Sequence, residues 1–200
     1  MWFGTSEGLC RFDGTSVKIY KHNTRDSTSL SHNEVNVLME DADHTLWVGT
    51  SNGLNRYDRY HDNFVDVDDL PRNTNHPTNH FITALACDSI GQVWIGTWGG
   101  GLNIYNTKTY RYTYYLTGDS KDHYVAAGYV NGIVIHQQKA WIATRDGLKV
   151  FDIRNLRAET LNVDGNILRK EITSMVSRKN GDLLLGFSDG DIHELVLSRF

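Results

Sequence analysis

Apolar positions along this chain come in short runs that alternate with tight polar turns, and one such unit recurs. It reads LWVGTSNGLNRYD from Leu46, with copies WFGTSEGLCRFD from Trp2, WIGTWGGGLNIYN from Trp94, WIATRDGLKVFD from Trp141 and, more faintly, LLGFSDGDIHEL from Leu184. Trp2, Trp47, Trp94, Trp141 and Leu184 lie 45, 47, 47 and 43 positions apart. A period of about 40 to 50 residues is the mark of a repeat architecture. Each copy has an apolar run, a small-residue turn and a second apolar or aromatic run, the pattern of a hairpin. Its turns carry Glu7-Gly8, Asn52-Gly53, Asp146-Gly147 and Asp189-Gly190, residue types that accept positive φ.

A further β-prone run precedes most copies: Val35 to Met39, Phe81 to Ala86, Tyr129 to Ile135 and Ile172 to Val176. A weaker one follows, at Val17 to Tyr20, Phe64 to Val67, Arg111 to Tyr115 and Glu159 to Val163. The unit is therefore a four-stranded antiparallel meander, and four strands at this period predict a β-propeller blade. Consecutive apolar residues, such as Val37, Leu38 and Met39, suit a sheet buried on both faces, as a blade between neighbours must be.

The repeats fall at about 1–22, 33–68, 80–116, 129–164 and 171–200. The first holds only the second to fourth strands and the last only the first to third, so the chain reads as a single partial ring of four to five blades. A bare strand edge invites association, which makes an excerpt of a longer propeller the expected explanation. Closure within the chain, with the last repeat completing the first blade, is the alternative, and it leaves two strands over.

Composition adds little: 200 residues with 40% hydrophobic and 11% aromatic content are ordinary for a globular domain. The net charge of -4 and the absence of a Lys/Arg run argue against a nucleic-acid partner. No stretch reaches the roughly 20 apolar residues of a membrane span, so no membrane contact is expected from this segment, and no signal peptide is read at its start. Cys10 and Cys87 read as small core residues on different repeats. The long connectors, His22 to Asn33, Asp68 to His80 and Thr117 to Gly128, are polar and hold both prolines, Pro71 and Pro77. In a propeller they emerge on the same face as the turns between second and third strands, which makes that face the default functional surface.

The order of Glu40-Asp41, LWVGT, GLNRYD, Phe64, and a connector with Ser29-Leu30-Ser31 and Asn33 before Val35 resembles the two-component regulator propeller repeat. The resemblance covers essentially the whole chain, is strong at Trp47 and Trp94, and decays at Leu184, where Asp191 replaces the usual leucine. It implies the periplasmic sensor region of a hybrid histidine kinase of the Bacteroidetes type, built as seven-bladed rings ahead of a membrane helix and kinase modules. It further implies an oligosaccharide or similar polar small molecule as ligand, the rest of the sensor as partner and a possible homodimer of the parent. A repeat motif identifies architecture directly and function by association.

Trp2, Trp47, Trp94 and Trp141 recur at one structural position and read as inter-blade core. Trp98 does not recur: it sits in a turn where other copies carry Ser6, Ser51 and Arg145, followed by Gly99, Gly100 and Gly101. It reads either as a platform for a sugar ring or as packing on a neighbouring loop. His76 and His80 are four apart, a metal spacing on a helix, but Pro77 intervenes and no matching carboxylate or thiol accompanies them, so no metal or other cofactor is expected. The pair reads as carbohydrate hydrogen-bonding groups or as solvated loop. Arg145 and Asp146, set against Ser51 and Asn52, give each blade a different polar tip, which suits an asymmetric ligand or an unconstrained surface. Asp13, Asp41, Asp58, Asp88 and Asp152 read as turn acceptors. No catalytic constellation is present: no Ser-His-Asp order, reactive Cys-His pair or phosphate-cradling loop occurs. The chain is therefore expected to be a non-catalytic sensor segment. A protein-interaction scaffold is the alternative, and a polysaccharide lyase or hydrolase a weaker one.

Overall fold

The computed structural model describes residues 1–70, 75–115, 128–159, 161 and 169–197. Within them eighteen strands form five antiparallel sheets, and no α-helix occurs among the described residues. The first sheet holds β1 (Trp2–Thr5), β2 (Gly8–Phe12) and β3 (Val17–Tyr20). The second holds β4 (Val35–Glu40), β5 (Leu46–Thr50), β6 (Gly53–Asp58) and β7 (Asn63–Asp66). The third holds β8 (Ile82–Cys87), β9 (Gln92–Thr97), β10 (Leu102–Asn106) and β11 (Arg111–Tyr115). The fourth holds β12 (Val130–His136), β13 (Lys139–Thr144), β14 (Gly147–Asp152) and β15 (Arg157–Glu159). The fifth holds β16 (Ile172–Ser177), β17 (Leu183–Phe187) and β18 (Ile192–Leu195).

Each sheet is a meander in chain order, and β4, β8, β12 and β16 lie against one another in succession as the inner strands of an arc. This is the propeller arrangement. β16 pairs with β17 and not with the first sheet, so among the described residues no strand pairing joins the last sheet to the first. The strand expected over Glu159 to Val163 is seen as Arg157–Glu159, with 160, 162 and 163 outside the described residues. Most of the connector from Thr117, and residues 71–74 with Pro71, also lie outside them.

Two-faced burial follows directly from the alternation of side chains along a strand. Leu46 and Val48 join the cluster between the first and second sheets, while Trp47 between them joins the cluster between the second and third. Ile95 and Trp94 divide in the same way between the second-third and third-fourth junctions. Four apolar clusters result, one at each junction. Cys10 and Cys87 are free and half-buried, so they stand at the margin of these clusters and not within them as expected.

At the first three junctions close approach of the sheets depends on a glycine in the second strand of the repeat, a position that Ala143 takes at the fourth. A Cβ on Gly4 would lie 2.7 Å from Val35 Cγ1, one on Gly49 2.6 Å from Ile82 Cγ2, and one on Gly96 2.5 Å from Val130 Cγ1. In each case the partner opens the first strand of the following sheet. One residue further along, that strand carries a bulge, and the bulged side chain reaches the next sheet again. Asn36 Nδ2 donates to Ile82 O at 3.0 Å, Thr83 Oγ1 to Val130 O at 2.5 Å, and Asn131 Nδ2 to Ile172 O at 2.8 Å.

The recurring aspartates act as the sequence suggests. Asp13, Asp41, Asp58, Asp88 and Asp152 each accept two backbone N–H groups within the following turn. Asp41 and Asp88 additionally accept the indole N–H of Trp47 and Trp94, at 2.7 and 2.9 Å. At the first junction a further carboxylate, Asp62, ties two sheets together. It accepts from Arg11 Nη1 at 2.9 Å, Lys18 Nζ at 2.5 Å, Tyr20 OH at 2.6 Å and Tyr57 OH, while Arg11 Nη1 also donates to Tyr57 OH at 2.7 Å.

Forcing a methyl group into the Gly49 contact displaces Val37 or Ile82 at a cost of about 1–3 kcal/mol. Gly49→Ala is therefore expected to lower the melting temperature by several degrees in thermal unfolding followed by circular dichroism. An unchanged midpoint would show that the inter-sheet gap is not fixed by the glycine.

Candidate functional site

At one end of the arc, each hairpin turn between the second and third strands of a repeat meets the connector that enters a first strand. A single backbone bond sets this meeting in four sheets. Ser51 N donates to Glu34 O, Trp98 N to Phe81 O, Arg145 N to Tyr129 O and Ser188 N to Glu171 O, over 3.0 to 3.3 Å. Behind it, a buried threonine staples the turn: Thr50, Thr97 and Thr144 are fully buried, and their hydroxyls donate to Gly53 O, Gly101 O and Gly147 O. Asn55 and Asn103, also fully buried, accept from Ser31 N and Thr78 N at 2.9 Å and so anchor the connectors. The scaffold is constant, and the side chains it juxtaposes are not.

In the second sheet the paired side chains are polar, Ser51 Oγ donating to Glu34 Oε2 at 2.7 Å. In the third they are aromatic. Trp98 lies 5.8 Å from Phe81 and 5.1 Å, edge-on, from Tyr129, yet keeps 54% of its surface exposed. Its turn is opened by Gly99 and Gly101 at φ 87° and 75°, conformations that side-chain-bearing residues rarely adopt. Asn79 Nδ2 donates to Trp98 O at 2.7 Å and fixes the tip. In the fourth sheet the Arg145 guanidinium sits 5.2 Å over the Tyr129 ring, with Glu171 3.8 Å from its Nε. In the fifth, Lys170 pairs with Asp189 and, at 2.7 Å, with Asp191. Phe81, Trp98, Tyr129 and Arg145 thus form one continuous strip across two sheets.

The candidate ligand contacts read from the sequence, Trp98, Arg145, Asp146, Asn52, His76 and His80, fall on this end of the arc. Asn52 and Asp146 occupy equivalent exposed turn positions, each donating its backbone N–H to the stapling threonine at 3.1 Å. His76 and His80 face each other with ring centroids 6.5 Å apart, and His80 O accepts from Gly53 N beside Asn52. His80 thus touches the second-sheet turn, while His76 O accepts from Tyr114 OH of the third sheet at 2.7 Å. Among the described residues no three His, Cys, Asp or Glu stand close enough to hold a metal ion. His80 Nδ1 instead approaches Asp68 Oδ2 at 3.3 Å, and Asp68 Oδ1 accepts from Tyr112 OH at 2.8 Å. Asp66 accepts from Asp68 N at 3.0 Å, and its own burial, reinforced by the Asp68 and Asp69 charges, pushes its carboxyl up to about 6.

Sequence reading missed Phe81, Tyr129, Glu34, Glu171 and the Asp66–Asp68 pair. A signal was present for four of them: aligning the repeats on the first strand puts Glu34, Phe81, Tyr129 and Glu171 in one column of changing chemistry.

Comparison with known proteins agrees with this geometry. The model of the two component regulator propeller matches residues 29–52 and 76–99, each spanning a connector, a first strand and the hairpin that follows. The chain is 34% identical over 184 residues to Histidine kinase P4 of Formosa agariphila, covering 88% of this chain and 13% of that protein. Among solved structures it is similar to extracellular domains of two hybrid two component systems of B. thetaiotaomicron, with TM-scores of 0.78 and 0.75 at 21% and 23% identity. Those superpositions cover 99% and 98% of this chain and 27% of each domain. The chain therefore spans a small part of the proteins it matches.

Asp66 supplies a pH test of the polar half of this face. A carboxyl whose folded value is raised favours the folded state below its unfolded value near 3.9 and loses that contribution as pH rises to about 6. Asp66→Asn is expected to remove a decline in stability of the order of 2 kcal/mol between pH 4 and 6. Denaturant unfolding of both chains across that range measures it, and parallel curves would contradict the assignment.

Proposed function

We propose that this chain, which carries two-component regulator propeller repeats, is a non-catalytic ligand-sensing segment of an extracytoplasmic two-component sensor. Its ligand is an oligosaccharide or a similar polar molecule, received on the end of the arc where the hairpin tips gather. The observation that supports this reading is the exposed Trp98 face, held by Phe81 and Tyr129 and flanked by Arg145. An aromatic face beside charged and amide groups offers stacking to a sugar ring and hydrogen bonds to its hydroxyls. Asp146, Asn52, His76 and His80 lie on the same end and extend the polar contact area.

Because Phe81 and Trp98 belong to the third repeat and Tyr129 and Arg145 to the fourth, a ligand on the strip bridges two sheets. A ligand that binds one inter-sheet arrangement better than another shifts the population toward it by its differential affinity. In the parent protein, a homodimer anchored in the inner membrane with its sensor region in the periplasm, that shift would reach a kinase module outside this chain.

A scaffold role is the second reading, and one observation favours it. Phe3, Val17 and Ile19 on the first sheet and Val176 and Ile192 on the fifth are exposed apolar residues.

Isothermal titration of the chain with neutral and acidic oligosaccharides separates the two. The sensor reading expects saturable binding that Trp98→Ala weakens at least about tenfold, or 1.4 kcal/mol, with the melting temperature of the free protein little changed. Binding that is indifferent to Trp98 would move the site elsewhere. Absence of binding across the panel, with a stable protein partner recovered through the end sheets, would favour the scaffold.

A further inference from the structure

The junction between the second and third sheets contains a cavity of about 430 Å³ that opens among the turns of the end opposite the hairpin tips. Its neighbours on either side explain why it is there. At the first junction, Arg11 on β2, Lys18 and Tyr20 on β3, Tyr57 on β6 and Asp62 in the following turn close the space around one carboxylate. The repeat places Arg56, Val65, Val67, Tyr105 and Tyr110 at the same positions one junction later. Asp62 and Tyr110 even share the same left-handed backbone, at φ 56° and 59°. At the third junction the corresponding Ile104, Phe151 and Leu156 pack together as plain apolar core.

The second junction therefore keeps the cation and the phenol of the first and lacks its carboxylate. Arg56, which stands exposed at the mouth, has no ion-pair partner among the described residues, and Tyr105, only 2% exposed, has no hydrogen-bond partner for its hydroxyl there. Both line the cavity. The Arg56 charge acts on the Tyr105 phenol, which burial pushes up to about 12, so the hydroxyl stays protonated and available as a donor. Val67 in place of the Tyr20 ring leaves the volume, with Trp47 and Leu70 as its apolar wall.

We propose that this cavity binds a small monocarboxylic acid, its carboxylate received by Arg56 and Tyr105 where Asp62 serves the preceding junction. The remaining lining sets the charge of the ligand. Asp41 and Asp88 direct both their oxygens to turn N–H groups and to the indoles of Trp47 and Trp94, and Asp43 stands with them at the cavity. With three carboxylates set against Arg56 and Lys108 in the lining, a second negative charge on the ligand is disfavoured, and the first is received by Arg56 and Tyr105 alone.

The test is thermal shift and calorimetric titration of the full chain at pH 7 with sodium benzoate, against neutral benzamide and inorganic phosphate as controls. Benzoate is expected to raise the melting temperature in proportion to the logarithm of its concentration above Kd, while benzamide and phosphate do not. Arg56→Gln should abolish the response, and Tyr105→Phe should weaken it up to about tenfold. Tyr110→Asp should rebuild the internal carboxylate, raising the midpoint without ligand and cancelling the benzoate response. Trp98→Ala should leave the response intact, which separates this site from the hairpin-tip surface. An equal response to benzamide, no response to benzoate, or a benzoate response that survives Arg56→Gln would overturn the proposal. The wild-type contrast between benzoate and benzamide decides it even where a substituted chain does not fold.

Discussion

Each inner sheet of this molecule is covered on both faces, and at three of the four junctions the cover is brought near enough for glycine alone to fit between. Gly4, Gly49 and Gly96 mark that limit, each with a β-branched side chain of the following sheet where its own Cβ would be. Tryptophan on one face and valine or isoleucine on the other fill the space around the contact, so the apolar clusters are shared property of adjacent repeats. Stability in such an array is a sum over units and interfaces.

This explains what the amino-acid order reveals and what it hides. Strand positions, turn aspartates and the two-faced tryptophan strand are local features, readable from period-two alternation and turn chemistry within one repeat. The aromatic strip is not local. Trp98 stands out as an exception in its turn, but Phe81 lies seventeen positions before it and Tyr129 belongs to another repeat. Only the backbone bond between hairpin tip and strand entrance reveals that these columns are neighbours. The same holds for Arg56 and Tyr105, whose meaning comes from comparing one junction with the next. The cysteines were misread for a related reason, since strand membership does not say how near the sheet margin a residue falls.

Recognition and folding are assigned to different atoms. The hairpin tips are held by main-chain bonds and by buried Thr50, Thr97 and Thr144, none of which constrains the side chain displayed next to them. Glutamate, phenylalanine, tyrosine and glutamate therefore follow one another at one structural position without disturbing it. A face built this way can change its chemistry tip by tip while the arc beneath stays intact.

The bulged residues at Asn36, Thr83 and Asn131 give the arc a sense of direction. Each donates forward, to a carbonyl of the sheet that follows, and none donates backward. The leading and trailing ends are thus chemically unlike, as the head and tail of an arrow are.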